Sequence, residues 1–406
     1  MSRVVLFTGK GGVGKTSVAA ATALRAAARG RRVLVTSTDP AHSLADALDQ
    51  PVGDRPTTVA VPDPTVDSGH LHAQQIDAQA RLERHWREVR DYLVTLLSWG
   101  GVDEIQAEEL VLLPGLDELF ALTDLNAQVA AGRYDLVIVD CAPTAETLRL
   151  LSLPDALRWH VDRVLGPGRR VARAVRPLVR GRGGGPLPVP DDEVFGAVER
   201  VHGDLADVHA LLQDPERATV RLVVNPERLA VAETERTATS LSLFGYAVDA
   251  VVVNRVLPDE VSDPYLARWK DRHAAHLATI RGAFAPTTVL TAPLFDDELD
   301  GTEGLRRLGD AVYGDGDELP DVPPRRPLEV TRDGADHLLR LALPFATKDD
   351  VHLDRRGADL FVTVAGTKRV VTLPAALQRC DVGGARFHDG GLEIRFVPAT
   401  AAAVAP

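Results

Sequence analysis

The chain has little sulfur, with two cysteines, Cys141 and Cys380, and one methionine in 406 residues. Without a CxxC pair, neither a disulfide framework nor a cysteine-based zinc site is expected, and the two thiols suit a reducing compartment. Long apolar runs are missing as well. None approaches the roughly 18 residues that span a bilayer, so an integral membrane protein is not expected. A basic excess is also absent, since 46 Lys and Arg stand against 58 Asp and Glu, a net charge of −12. General attraction to nucleic acid is therefore not expected. The opening Ser2-Arg3-Val4-Val5-Leu6-Phe7-Thr8 reaches a glycine-rich loop at Gly9, leaving no room for the apolar core of a secretory leader. The expected location is cytoplasmic.

What is present divides in two. A chain of 406 residues exceeds the roughly 250–300 at which single cores stop growing. Residues 3–8 form a short β-branched run that ends in glycines. Thr16 to Ala28 is an alanine-rich helical stretch closed by Gly30, and Arg32-Val33-Leu34-Val35-Thr36 supplies a second strand. Strand, helix and strand with short joints imply a right-handed crossover and a parallel sheet. Tyr134–Val139 ending in Asp140, Val220–Val224, Val248–Val253 and Thr288–Thr291 continue the alternation. Residues 1–314 are thus expected to form an α/β domain, a doubly wound parallel sheet of the P-loop type.

Helical inserts are expected at about 77–131 and 155–217. In the first, Leu110, Leu112, Leu113, Leu116, Leu119, Phe120 and Leu122 serve either as core or as an apolar groove. In the second, the run from Arg163 to Arg182 suits a solvated face or an anion site. Residues 315–326, rich in Pro and Asp, read as a linker, 327–398 as a small all-β sandwich and 399–406 as a disordered tail.

Gly9-Lys10-Gly11-Gly12-Val13-Gly14-Lys15-Thr16 matches the phosphate-loop pattern, in which glycines let backbone N–H groups close around phosphate at a helix N-terminus. Lys15 then lies against the β- and γ-phosphates of ATP and Thr16 holds Mg²⁺. The cradle has a place for one lysine, so Lys10 is either solvated or reaches a phosphate held by a facing subunit. Asp39, ending the second strand, either positions the attacking water or caps the helix beginning near Ser43. Asp140 follows an apolar strand, as an acid does that holds Mg²⁺ through water, with a strand-end turn as the alternative. Asn254, at another strand end, suits an adenine edge or a turn.

Taken with Thr38-Asp39-Pro40-Ala41-His42-Ser43 and Asp140-Cys141-Ala142-Pro143-Thr144, the loop resembles the arsenical pump-driving ATPase family, which also contains the targeting ATPases for tail-anchored membrane proteins. Leu113-Pro114-Gly115-Leu116-Asp117-Glu118, Asn225-Pro226-Glu227 and Val253-Asn254-Arg255 extend the likeness over roughly residues 1–314. The resemblance implies a nucleotide-sandwich homodimer in which Lys10 crosses to the partner's phosphates. Asp39 positions water, and Asp140 and Pro143 open the second switch. It implies nucleotide contacts from Gly9 through Ser17, with Glu227 near the nucleoside and Asn254 near adenine.

Two departures stand out. Two isolated cysteines cannot supply the cysteine cluster with which the pumps bind arsenite, and the paired cysteines and methionine-lined groove of the targeting members are absent. The stretches Lys348–Leu353, Leu360–Val364, Lys368–Pro374 and Ala385–Leu392 resemble the α-crystallin domain of small heat-shock proteins. The expected function is a Mg²⁺-dependent ATPase whose nucleotide state opens and closes a homodimer, moving helical inserts suited to an apolar protein client. The alternatives are an ATP-regulated holdase and a partitioning ATPase of the MinD and ParA kind.

Overall fold

Strand β1 (Arg3–Thr8) carries Val4-Val5-Leu6-Phe7, all buried. The computed structural model describes residues 2–39, 43–61, 70–76, 116–142, 144, 147–148, 203–204, 206–321 and 323–398. Strands β2 (Val33–Ser37), β3 (Thr57–Thr58), β4 (Leu71–Gln75), β5 (Leu136–Asp140), β6 (Ala218–Val224), β7 (Val248–Val256) and β8 (Thr288–Pro293) join β1 in one sheet of order β3-β4-β2-β5-β1-β6-β7-β8. Only β3 runs against its neighbour; the other pairs are parallel. Strands covered on both faces favour apolar side chains on both, which is why Val4–Phe7 of β1 and Leu136–Val139 of β5 read as continuous runs.

Helix α1 (Lys15–Ala28) follows β1, and α2 (Ser43–Leu48) follows β2. Helix α3 (Leu116–Ala130) lies in a compact unit made of residues 76–133 and 149–211, and buries Leu122, Leu125 and Val129 at helical spacing. The rest of the two expected inserts, including Leu110, Leu112, Leu113 and the arginine run, falls largely outside the described residues, and so does the tail 399–406.

Helices α4 (Arg228–Leu243), α5 (Pro264–Phe284) and α6 (Gly301–Tyr313) complete the α/β body. Helix α5 starts on a strong local signal: Asp263 accepts from the N–H groups of Tyr265 and Leu266, and Pro264 takes the first turn. Helices α1 and α6 share one apolar core, with Val18, Ala21, Leu24, Leu305, Leu308 and Val312 buried together.

Residues 328–398 form an antiparallel sandwich. Strands β9 (Leu328–Asp333), β10 (Asp336–Ala342), β14 (Cys380–His388) and β15 (Gly391–Pro398) make one sheet in the order β14-β15-β10-β9. Strands β11 (Val351–Arg356), β12 (Asp359–Val364) and β13 (Thr367–Thr372) make the other, with the short α7 (Ala375–Gln378) before β14. Alternate residues Leu339, Leu341, Leu360, Val362, Ile394 and Phe396 fill the space between them, and Leu243 from the end of α4 enters the same cluster. Ser242 Oγ donates to Ala342 O at 2.8 Å, Thr239 Oγ1 to Pro344 O and Arg369 Nη1 to Leu243 O.

The stretch expected to be a linker starts as a clamped strap. Arg25 pairs with Asp310 and Glu318, Arg31 with Asp317, and Arg29 donates to Gly316 O and Asp315 O. The Glu318 side chain is fully buried, and Leu319 packs on the α1 core. Its composition read as a spacer because Pro and Asp mark turns. The complementary arginines at the end of α1 are what turn it into structure.

Candidate nucleotide site

The loop between β1 and α1 is shaped by close backbone approaches. At Gly9 a Cβ would sit 2.1 Å from Val223 O, so no side chain fits there, and at Gly14 the φ of 89° lies in the region where any side chain is strained. Gly14 caps α1 with no side-chain hydrogen bond and no acid in the first turn. The helix therefore presents unpaired N–H groups and the positive end of its dipole to the loop. Lys15 is buried and its Nζ lies 3.4 Å from Lys10 O. Lys10, Gly11 and Gly12 are exposed, while Thr16 and Ser17 are half-buried on the first turn.

Two elements, β5 and α2, meet Thr16. Asp140, at the end of β5 beside Ser37 of β2, accepts from Thr16 Oγ1 at 2.8 Å and from Ser37 Oγ at 3.2 Å through Oδ2. Ser43, which starts α2, has its hydroxyl 3.1 Å from Thr16 Oγ1. Asp140 Oδ1 is buried without a hydrogen-bond partner. Burial is the main force pushing the Asp140 carboxyl up to about 6, opposed by the Thr16 hydrogen bond, the Lys15 charge and the Ser37 hydrogen bond. A buried oxygen of an acid with an open lone pair, next to a hydroxyl, fits a divalent cation.

A carboxyl held above its unfolded value of about 3.9 adds stability at low pH that is lost as pH rises through about 6, on the order of 3 kcal/mol. Thermal melts in chelator should therefore show Asp140→Asn gaining on wild type between about pH 4 and about pH 6.5 and levelling off above, a gap that Mg²⁺ with nucleotide narrows. A gap that is independent of pH would contradict this origin.

Asp39 stands two residues beyond Ser37, half-buried. Its N–H donates to Ser37 Oγ at 3.2 Å, and Gln75 Nε2 at the end of β4 donates to Asp39 O at 2.7 Å. Thr38 N–H donates to Asp140 O at 3.0 Å, tying the two strand ends together. Past Asp140, Thr8 Oγ1 donates to Thr147 Oγ1 at 3.1 Å and Thr147 Oγ1 to Ala142 O at 2.6 Å, which fixes the start of that segment on β1. Pro40, Ala41, His42 and Pro143 lie outside the described residues. Cys141 is buried, and burial with the neighbouring Asp140 pushes its thiol up, so it stays an unreactive SH.

Asn254 is brought to the loop: Nδ2 donates to Val13 O at 2.8 Å and Oδ1 accepts from Arg255 N at 3.0 Å. Glu227 sits exposed at the start of α4. Sequence reasoning singled out neither Ser37, Gln75, Thr147 nor Arg255, although all four hold the site. Ser37 and Thr147 lie beside the motifs already read, and nothing local marks Gln75.

The family model for the anion-transporting ATPase (ArsA ATPase) matches residues 2–314, and that for the HSP20-like domain found in ArsA matches 334–396. The chain is similar to two proteins described as "Putative arsenical pump-driving ATPase". That of Chlorobaculum tepidum is 36% identical over 97% of this chain and 96% of its own. That of Aquifex aeolicus, which bears the numeral 1, is 34% identical over 93% and 96%. It is also 28% identical to the ATPase GET3 of Paracoccidioides lutzii, over 80% of this chain and 92% of that one. With a strand–glycine loop–helix cradle whose Thr16 meets the strand-end acid Asp140, and with these matches over both regions, the chain belongs to the ArsA-type anion-transporting ATPase family and is an ATP-hydrolysing enzyme.

Proposed function

We propose that this ATPase works as a Mg²⁺-dependent homodimer that closes around ATP and couples the closure to an apolar protein client. The observation that carries the reading is the pair of lysines in one loop. Lys15 is buried with its ammonium 3.4 Å from Lys10 O, whereas Lys10 itself is exposed and available to a second copy. In the closed state Lys15 and the α1 N–H groups bind the phosphates, and Lys10 neutralises charge on the partner's γ-phosphate.

Thr16 and Asp140 would hold Mg²⁺, which when bound neutralises charge on the phosphate oxygens. Asp39 orients the attacking water, its backbone being fixed from both sides by Ser37 and Gln75. Asn254 and Glu227 border the nucleoside. Arsenite is not the cargo in this reading, because its trivalent arsenic needs clustered thiolates and the chain has two cysteines, one in each domain.

The test is Asp39→Asn. Loss of a positioned base is worth roughly 10²–10³ in turnover, while ATP affinity should stay within about twofold, since no phosphate contact is removed. Single-turnover hydrolysis and ATP titration measure the two. Turnover near wild type would remove Asp39 from the mechanism. The same variant, locked with ATP and Mg²⁺, should retain an apolar transmembrane-like peptide that it releases with ADP; equal retention in both states would refute the coupling.

A further inference from the structure

Strand β7 carries a bulge beside the phosphate loop. Its register against β8 runs Val253 to Thr291 and then Val256 to Pro293, so Asn254 and Arg255 together face the single Ala292. Arg255 has φ 58°, in the left-handed region that arginine seldom occupies. In a regular strand neighbouring side chains point to opposite faces. Here both reach the same loop: Asn254 Nδ2 donates to Val13 O at 2.8 Å and Arg255 Nη1 to Gly12 O at 3.2 Å. Bulges re-aim side chains in this way next to active sites, and a strained backbone of this kind persists where the surroundings hold it.

Peptide planarity says what those two bonds accomplish. In a trans peptide the C=O and the following N–H point in opposite directions. A Gly12 carbonyl held toward β7 turns the Val13 N–H away from it, and a Val13 carbonyl held toward β7 does the same for the Gly14 N–H. These are amides of the phosphate cradle. We infer that Arg255 is a positioning residue for ATP binding: it touches no phosphate but fixes the loop peptide that does.

This rests on the nucleotide-site reading above, and the experiment separates the two. Titrations with a fluorescent ATP analogue and competition with inorganic pyrophosphate are run on full-length wild type, Arg255→Asn and Arg255→Lys. Asparagine tolerates the left-handed backbone but is too short to reach Gly12 O. Arg255→Asn should weaken ATP and pyrophosphate alike, roughly five- to tenfold, as loss of one hydrogen bond predicts. Its melting temperature should be unchanged, and Arg255→Lys should recover most of the affinity.

Unchanged affinity in Arg255→Asn overturns the inference. So does weaker ATP with unchanged pyrophosphate, which would mean that Arg255 touches the nucleoside directly, and so does a loss of affinity matched by a loss of melting temperature. Wild type that binds neither ligand would overturn the nucleotide-site reading itself.

Discussion

Lys10→Ala is expected to lower ATP turnover by roughly 10³-fold or more while ATP affinity changes by less than about threefold. The expectation follows from where the two loop lysines lie. Lys15 is buried in its own cradle, so its loss would remove nucleotide binding, whereas the exposed Lys10 contributes only its backbone carbonyl there. A side chain that acts across a two-fold interface leaves a diagnostic signature, because each site borrows one residue from its neighbour. Mixing Lys10→Ala with Lys15→Ala, each inactive alone, should restore up to about a quarter of wild-type turnover. Half the dimers are then mixed, and each mixed dimer holds one complete site. Full turnover by Lys10→Ala alone, or no recovery on mixing, would remove the exchange of lysines.

Asp249→Ala is expected to cost on the order of 3–5 kcal/mol of stability. Arg221 is fully buried in β6, and its Nη2 lies 2.8 Å from Asp249 Oδ2 in β7, with Nε 3.1 Å from Oδ1. Thr219 donates to the same carboxylate at 2.9 Å, and Arg221 Nη1 donates to Tyr313 Oη, which pairs with Thr22 of α1 at 2.7 Å. The guanidinium also stands 5.6 Å from the centre of the Phe7 ring. The Asp249 charge and hydrogen bonds hold Arg221 in its cationic form against burial.

Removing the anion leaves a cation in the core with a phenol for company. The double variant Arg221→Met, Asp249→Leu should recover most of the loss, because an apolar pair of similar volume needs no partner. Urea midpoints followed by circular dichroism decide it. A single-variant loss below about 1 kcal/mol would mean that water or another group solvates Arg221.

Much of this arrangement was legible in the residues. The central residues of β1 and β5 are apolar without alternation because both faces are covered, and the glycine loop after β1 admits few conformations. β4 escaped notice because Gln74 and Gln75 are buried through hydrogen bonds instead of apolarity, Gln74 to Asp54 O and Gln75 to Asp39 O. β9 is nearly all exposed, and β14 contains Gly383-Gly384 at a bulge in a nine-residue strand, a pair that lacks the side chains of a strand pattern. No local pattern in Val253-Asn254-Arg255 announces a left-handed arginine. Its conformation is imposed by β8 on one side and the phosphate loop on the other.

The sandwich is seated on the α/β body through its own interior: Leu243 belongs to its core, and Ser242, Thr239 and Arg369 stitch the end of α4 to residues 342–344 and 369. A gene shortened before residue 327 would thus not release a free-standing motor. It would strip a leucine of its packing, leave the last carbonyl of α4 without its donor and loosen a helix whose other end is capped by Glu227. Natural or engineered truncations of this protein should accordingly look like ATPase mutants.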